Sequence, residues 1–324
     1  MAGYTDKITR AIGYLSGADM CYTEMISCEG IIRGNPRTEP FLERWTPGSD
    51  LSFIQNPEIR EFLENFEEPY LPVQLFSGNP KAVGNAAAAL SSRNPSLIDI
   101  NCGCPMPKIC RTGAGAALLQ YPEKIREMII RVKEAADCPV SIKIRSGEDE
   151  NSLSYKWAVD AALEAGVDAI SVHPRTKAQG YSGTSDWNVI RHVAELAGDS
   201  VPVFGSGDLY APEDAERMLA ETGCSGVMFA RGAVGNPEIF RTAKALLTGK
   251  EAFRGFSRKE LAILHLGLAV RFYGESKGSK IIKKFLAAYV KNVPDGPEYR
   301  RKLVTAQDSS SMKAVLETIP EQTE

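Results

Sequence analysis

Polar residues recur at one position along this 324-residue chain, the end of each short, apolar, β-rich run. They are Glu24, Gln74, Asn101, Lys143, His173, Asp208 and Arg231. A lysine inside such a run is costly to bury without an anionic or acceptor partner. In Ser141-Ile142-Lys143-Ile144-Arg145 the isoleucines face one way and the polar residues the other. On parallel strands these side chains would ring one mouth, where they can orient and polarise a ligand. Two glycine-bearing segments offer a second chemistry: Gly205-Ser206-Gly207-Asp208, and Ala230-Arg231-Gly232-Ala233 leading to Gly235-Asn236. Glycine lets backbone N–H groups approach an anion and Arg231 adds charge-assisted bonds, which suits a phosphorylated cofactor. The third chemistry is a thiol. Cys102 and Cys110 read as buried small residues, whereas Cys104 lies in a turn between Gly103 and Pro105. There a thiol can serve as proton donor or nucleophile, and the residues alone leave both open. The run Cys102-x-Cys104-x5-Cys110 lacks the C-x2-C knuckle of zinc sites, so no metal is expected.

Parallel strands must position this set. Strands are expected at residues 20–25, 71–76, 97–101, 140–145, 168–173, 201–204 and 226–230, with helices between them at 57–66, 80–92, 122–136, 152–165, 187–197, 212–221 and 237–247. Asn56, Asn79 and Asn236, each before a proline, read as helix caps. Regular strand–helix alternation implies an α/β fold, here a (β/α)8 TIM barrel. A helix from about residue 6 to 15 has no strand before it, so the first strand is expected to be missing from this chain. Beyond about residue 248 the strand signal ends, and helices are expected near 257–272, 280–290 and 311–318. The domain expectation is therefore a catalytic barrel over 1–248 and a small all-helical domain over 249–324.

Composition narrows the classes further. No apolar run reaches the roughly 18–20 residues of a membrane span, and the N-terminus lacks a secretory pattern. Seven cysteines without an export signal read as reduced thiols in a cytoplasmic protein. The net charge of −3 conceals an asymmetry: residues 251–302 hold 12 Lys and Arg against 5 Asp and Glu, a net of +7, and the rest holds 26 against 36, a net of −10. Lys280, Lys284 and Lys291 recur at helical spacing beside Lys283, and Arg300-Arg301-Lys302 extends the patch. A basic module on an acidic barrel favours an RNA-backbone surface.

The ordered motifs carry a resemblance. Asn101-Cys-Gly-Cys104-Pro followed by Gly113-x-Gly-Ala116-x-Leu118 resembles the signature of the tRNA-dihydrouridine synthases. So do Met1-Ala2-Gly3-Tyr4-Thr5-Asp6, Thr23-Glu24-Met25, Val73-Gln74-Leu75-Phe76, Lys143-Ile144-Arg145, Val172-His173-Pro174-Arg175-Thr176, Ser206-Gly207-Asp208 and Ala230-Arg231-Gly232. The bacterial B-type subgroup is the nearest match. The resemblance implies FMN as cofactor, NADPH as reductant and tRNA as substrate. It implies Met1 and Ala2 along the flavin, Gln74 and Lys143 hydrogen-bonded to its isoalloxazine edge, and His173 also in contact with FMN. Ser206, Gly207, Asp208, Ala230 and Arg231 would hold its phosphate and ribityl chain. Asn101 and Arg175 would contact the target nucleotide, and Lys280, Lys283 and Lys284 the RNA. Flavin N5 would deliver hydride to uracil C6, and Cys104 would protonate C5 as general acid. A monomer is the family expectation.

Three departures stand out. The family has a strand and a proline before Met1-Ala2, so the expectation is a start assigned too late rather than a barrel short of a strand. Ala230 replaces a frequent glycine, and Lys283-Lys284-Phe285 stands where Arg-Lys-His is common. Two rival functions are a flavin enzyme acting on free pyrimidines, like dihydroorotate and dihydropyrimidine dehydrogenases, and an inert RNA-binding relative.

Overall fold

Seven short strands line up in sequence order as one parallel sheet: β1 (Met25–Ser27), β2 (Pro72–Phe76), β3 (Leu97–Cys102), β4 (Val140–Arg145), β5 (Ala169–His173), β6 (Val203–Ser206) and β7 (Gly226–Met228). The structure, a computed structural model, describes residues 2–48, 50–250 and 255–320. Met1 lies outside them. Helices alternate with the strands, giving the α/β TIM-barrel architecture; among the described residues no strand precedes β1, and β1 and β7 form the two sheet edges. The barrel core comes from strand residues such as Val73, Ile98, Ile142, Ile144 and Ile170 packed against helix residues such as Val83, Ile129, Val159 and Ile190.

Most strand boundaries fall within one or two residues of expectation. The first does not: a strand was expected at 20–25, and β1 begins only at Met25. Thr23 explains the difference, because its hydroxyl rather than a main-chain carbonyl takes the Gln74 N–H, at 3.1 Å. Asn56 and Asn79 cap their helices as expected, accepting from Glu58 and Ile59 and from Lys81. Asn236 does not. The helix there starts at Ile239, and the Asn236 N–H bonds the Ala233 carbonyl.

Among the described residues, the C-terminal region contains four helices, Arg258–Tyr273, Glu275–Tyr289, Gly296–Thr305 and Ser309–Glu317. The third was not expected, because Leu303 is its only buried large apolar residue and no apolar stripe marks it. This region does not form its core alone. Leu261, Leu268, Ile282, Phe285 and Leu316 share one cluster with Ile8, Ile12, Trp45, Leu51, Ile59 and Leu63. A boundary at 248/249 therefore divides the sequence but not this second core.

Candidate active site at the barrel mouth

Alternation along β2, β3 and β4 sends every second side chain inward, and the register sets Gln74 beside Asp99 and Asn101 beside Lys143. A relay results. The buried Asp99 carboxyl accepts from Gln74 Nε2 at 2.7 Å and Ser141 Oγ at 2.6 Å. Gln74 Oε1 accepts from Asn101 Nδ2 at 2.9 Å. Asn101 Oδ1 in turn accepts the N–H groups of Gly103 and Cys104, at 3.2 and 2.9 Å. The polar interior of three strands thus fixes the turn that carries the thiol. Burial raises the Cys104 thiol above its ordinary pKa despite a lowering influence from Arg145, so it stays protonated at neutral pH. Burial likewise raises the Asp99 carboxyl, with bonds from Ser141 and Gln74 opposing it. Cys102 is buried as expected; Cys110 is only half-buried and donates Sγ–H to the Cys104 carbonyl at 3.3 Å.

β4 and β5 build the cationic side. Lys143 is pushed down to about 8 by desolvation, with Asp99 raising and Arg145 lowering it. His173 is pushed down to about 2, first by burial and then by Lys143, Arg145, Arg175 and Arg231. The ring is neutral. Arg175 Nη1 approaches its Nε2 at 3.3 Å, and a guanidinium only donates, so Nε2 accepts and the ring proton sits on Nδ1. Arg175 spends its remaining donors on the carbonyls of Ser182 and Gly183, Ser185 Oγ and Asp208 Oδ2. It is 2% exposed, so in this conformation it braces the mouth and has no donor left for a nucleotide.

The loops after β6 and β7 interlock. Gly207 has φ +107°, and a Cβ there would come within 2.5 Å of Ser185 Oγ and 3.0 Å of the His173 ring. A Cβ on Gly232 would stand 2.1 Å from the Leu209 carbonyl oxygen. Asp208 accepts from Arg175 at 2.8 Å, Arg231 at 3.2 Å and the Ser185 N–H at 2.8 Å. Burial opposes its ionisation, but the bonds from Ser185 and Arg175 hold its carboxyl below the usual range. Ser206 is buried at the end of β6, and Ala230 leads into the 3-10 turn Arg231–Ala233, whose first N–H groups have no partner within the turn. The donor set fits a flavin mononucleotide: Gln74, Lys143 and the His173 Nδ1–H at strand ends, then loop N–H groups and Arg231 for a phosphate.

Tyr181 belongs to the mouth although the sequence did not single it out, and so does Arg145, which the sequence named only within its strand motif. Arg145 Nε donates to the Gly103 carbonyl at 2.9 Å, and its guanidinium lies 5.5 Å from the Tyr181 ring centre. Asp99 was also missed, although an acid inside a β-run was as visible a signal as Lys143. Ala2 is exposed in the N-terminal turn. There the Gly3 N–H bonds the Glu24 carboxylate, and Lys284 bonds the Gly3 carbonyl. Lys284 also lies 4.7 Å from the Tyr4 ring centre, so it joins the helical region to the mouth. Lys283 donates to the Val304 carbonyl at 2.7 Å, and Lys280 is exposed. Among the described residues, no group of three or more His, Cys, Asp or Glu could hold a metal ion, and no helix is long and apolar enough to cross a membrane.

Fold and site define a parallel β/α-barrel protein with a mouth lined by Lys143, Arg145, Arg175 and Arg231 and a protonated thiol at its rim. The chain belongs to the dihydrouridine synthase family, whose family model matches residues 1–324. It is 39% identical over 326 residues to a probable tRNA-dihydrouridine synthase of Treponema pallidum, covering 98% of this chain and 90% of the relative. It is 32% identical over 321 residues to tRNA-dihydrouridine synthase B of Escherichia coli, covering 98% and 93%. The motif-based family expectation is therefore correct. The structure of histamine dehydrogenase from Rhizobium sp. 4-9 is similar in fold, with a TM-score of 0.53 and 13% identity over 86% of this chain and 47% of that longer one.

Proposed function

We propose that the protein is a cytoplasmic, monomeric, FMN-dependent enzyme that reduces uridines in tRNA to 5,6-dihydrouridine with NADPH. The observation that carries this reading is the Cys104 turn, held by the Asp99–Gln74–Asn101 relay beside the cationic mouth in a dihydrouridine synthase chain. FMN supplies, when bound and reduced by NADPH, the hydride that adds to C6 of the target uracil. Gln74, Lys143 and the His173 Nδ1–H would hold its ring, and Ser206, Gly207, Asp208, Ala230 and Arg231 would hold its phosphate and ribityl chain. Lys143 is charged below about pH 8 and stabilises negative charge at the ring. As negative charge develops on the uracil C4 oxygen, the Cys104 thiol gives its proton to C5. A thiol raised by burial suits this role better than that of a nucleophile. Asn101 positions that thiol through the backbone, and Arg175 braces His173 and Asp208. The exposed Lys280 belongs to a basic surface that meets the RNA backbone, with Lys283 and Lys284 at its edge. The target base leaves the RNA stack to reach the mouth.

The test compares unmodified tRNA with free uracil and dihydroorotate as substrates of the flavin-loaded protein. Dihydrouridine is expected only in tRNA; turnover of the free base alone would overturn the reading. Cys104→Ala is expected to keep flavin and its reduction by NADPH while losing dihydrouridine formation at least about 100-fold, the usual weight of a general acid. Wild-type rates in that variant would remove Cys104 from its role.

A further inference from the structure

We propose that Tyr210, together with Arg231, forms a stacking step for an unpaired RNA base adjacent to the target uridine. The inference rests on the tRNA reading above and extends its site outward from the thiol. Four planar groups follow one another across the mouth. Arg145, bonded to the Gly103 carbonyl, is the innermost. Its guanidinium lies 5.5 Å from the Tyr181 ring centre, the Arg231 guanidinium 4.9 Å from that same centre, and Arg231 again 5.6 Å from the Tyr210 ring centre. Each group comes from a different segment: the end of β4, the loop after β5, the turn after β7 and the loop after β6.

The outer members are held in place yet open. Tyr181 and Tyr210 are 59% and 48% exposed. Asp208 pins Arg231 at 3.2 Å while leaving the guanidinium accessible. Tyr210 follows the buried Leu209, and its N–H bonds the Asp214 carboxylate at 2.8 Å, so its ring is presented on a fixed backbone. Rings this exposed beside a fixed cation add little to the stability of the barrel. Alternating aromatic and guanidinium planes instead match single-stranded nucleic acid, whose bases stack on aromatic rings and on guanidinium faces. The series starts at the thiol, where the extracted base must sit, so its outer end meets a neighbouring nucleotide.

Affinity decides the matter without turnover. The dissociation constant of the flavin-loaded enzyme is measured for unmodified tRNA transcripts, intact and with single abasic sites scanned through the single-stranded loops. One abasic position is expected to weaken wild-type binding by about ten-fold, in the range of a single base–aromatic stack. Tyr210→Ala should weaken intact tRNA by a similar factor and become insensitive to that position, whereas Tyr210→Phe should behave as wild type. Flavin content and the KM for NADPH should not change. Tyr210→Ala binding intact tRNA as tightly as wild type, or keeping full sensitivity to every abasic site, would overturn the proposal. So would a loss confined to NADPH, which would assign the ring to the adenine of the dinucleotide. A wild-type enzyme that makes no dihydrouridine would overturn the functional reading instead and leave the affinity comparison intact.

Discussion

At the residue scale, the mouth shows how one side chain can matter through another. Asn101 reads from sequence as a contact to the target nucleotide. In the structure its oxygen holds the Gly103 and Cys104 N–H groups and its amide N–H goes to Gln74, so its main work is to aim the thiol. His173 is held neutral, and that has a pH consequence. Its folded pKa of about 2 lies below the ordinary 6.5, so between those values the unfolded chain binds a proton that the folded chain does not. The stability this provides is complete above pH 6.5 and is lost progressively as pH falls toward 2. Thermal melting of wild type and His173→Gln between about pH 7 and about pH 5 isolates the effect, since other acid-sensitive groups are common to both. Wild type should lose up to about 1.4 kcal/mol per pH unit more than the variant below the ordinary histidine pKa. Parallel stability curves would mean that His173 titrates normally.

At the element scale, the strands were legible because polar residues facing one way, such as Ser141, Lys143 and Arg145, alternate with isoleucines facing the other, a pattern no bland core requires. Caps at Asn56 and Asn79 were legible for the same local reason, a short polar side chain before a proline. What escaped was structure lacking such a pattern. Tyr181 sits in a loop whose role depends on which cations surround it, and Gly296–Thr305 is anchored by Leu303 without an apolar stripe. The loops after β6 and β7 were readable as glycine-bearing turns, but not the reason each glycine is needed. At Gly232 the reason is contact between two loops: the chain after β7 lies against the Leu209 carbonyl, where a methyl group would fall at 2.1 Å. Gly232→Ala must separate the loops, a strain of about 1–3 kcal/mol by analogy with overpacked cores. The expected result is a lower melting temperature together with reduced flavin content after purification. Full flavin occupancy at the wild-type melting temperature would show that the two loops act separately.

At the scale of the whole molecule, the basic tail and acidic barrel are opposite in charge yet inseparable in packing. Tyr273 of the helical region donates to Asp6 Oδ2 at 2.7 Å, and Lys284 bonds the Gly3 carbonyl, so the tail secures the turn that opens the barrel. On the barrel side, Arg10 Nε meets Glu68 Oε1 at 2.6 Å with both side chains buried, joining the helix Lys7–Leu15 to the segment before β2. The end of the strand signal divided the chain at 248/249 because strand periodicity is a local property, whereas the second core depends on which apolar faces meet. Ile8, Ile12, Leu15, Leu51, Ile59 and Leu63 would lose the helices that cover them if residues 249–324 were removed. Burying such side chains contributes about 1.5–3 kcal/mol each. The six together are on the order of 10 kcal/mol, as much as the roughly 5–15 kcal/mol that keeps a domain folded. A chain ending at residue 248 is therefore expected to aggregate on expression or to melt without a cooperative transition, and to retain no flavin. A soluble 1–248 fragment with a sharp melt and bound flavin would show that the barrel core suffices, and that the shared cluster serves docking rather than folding.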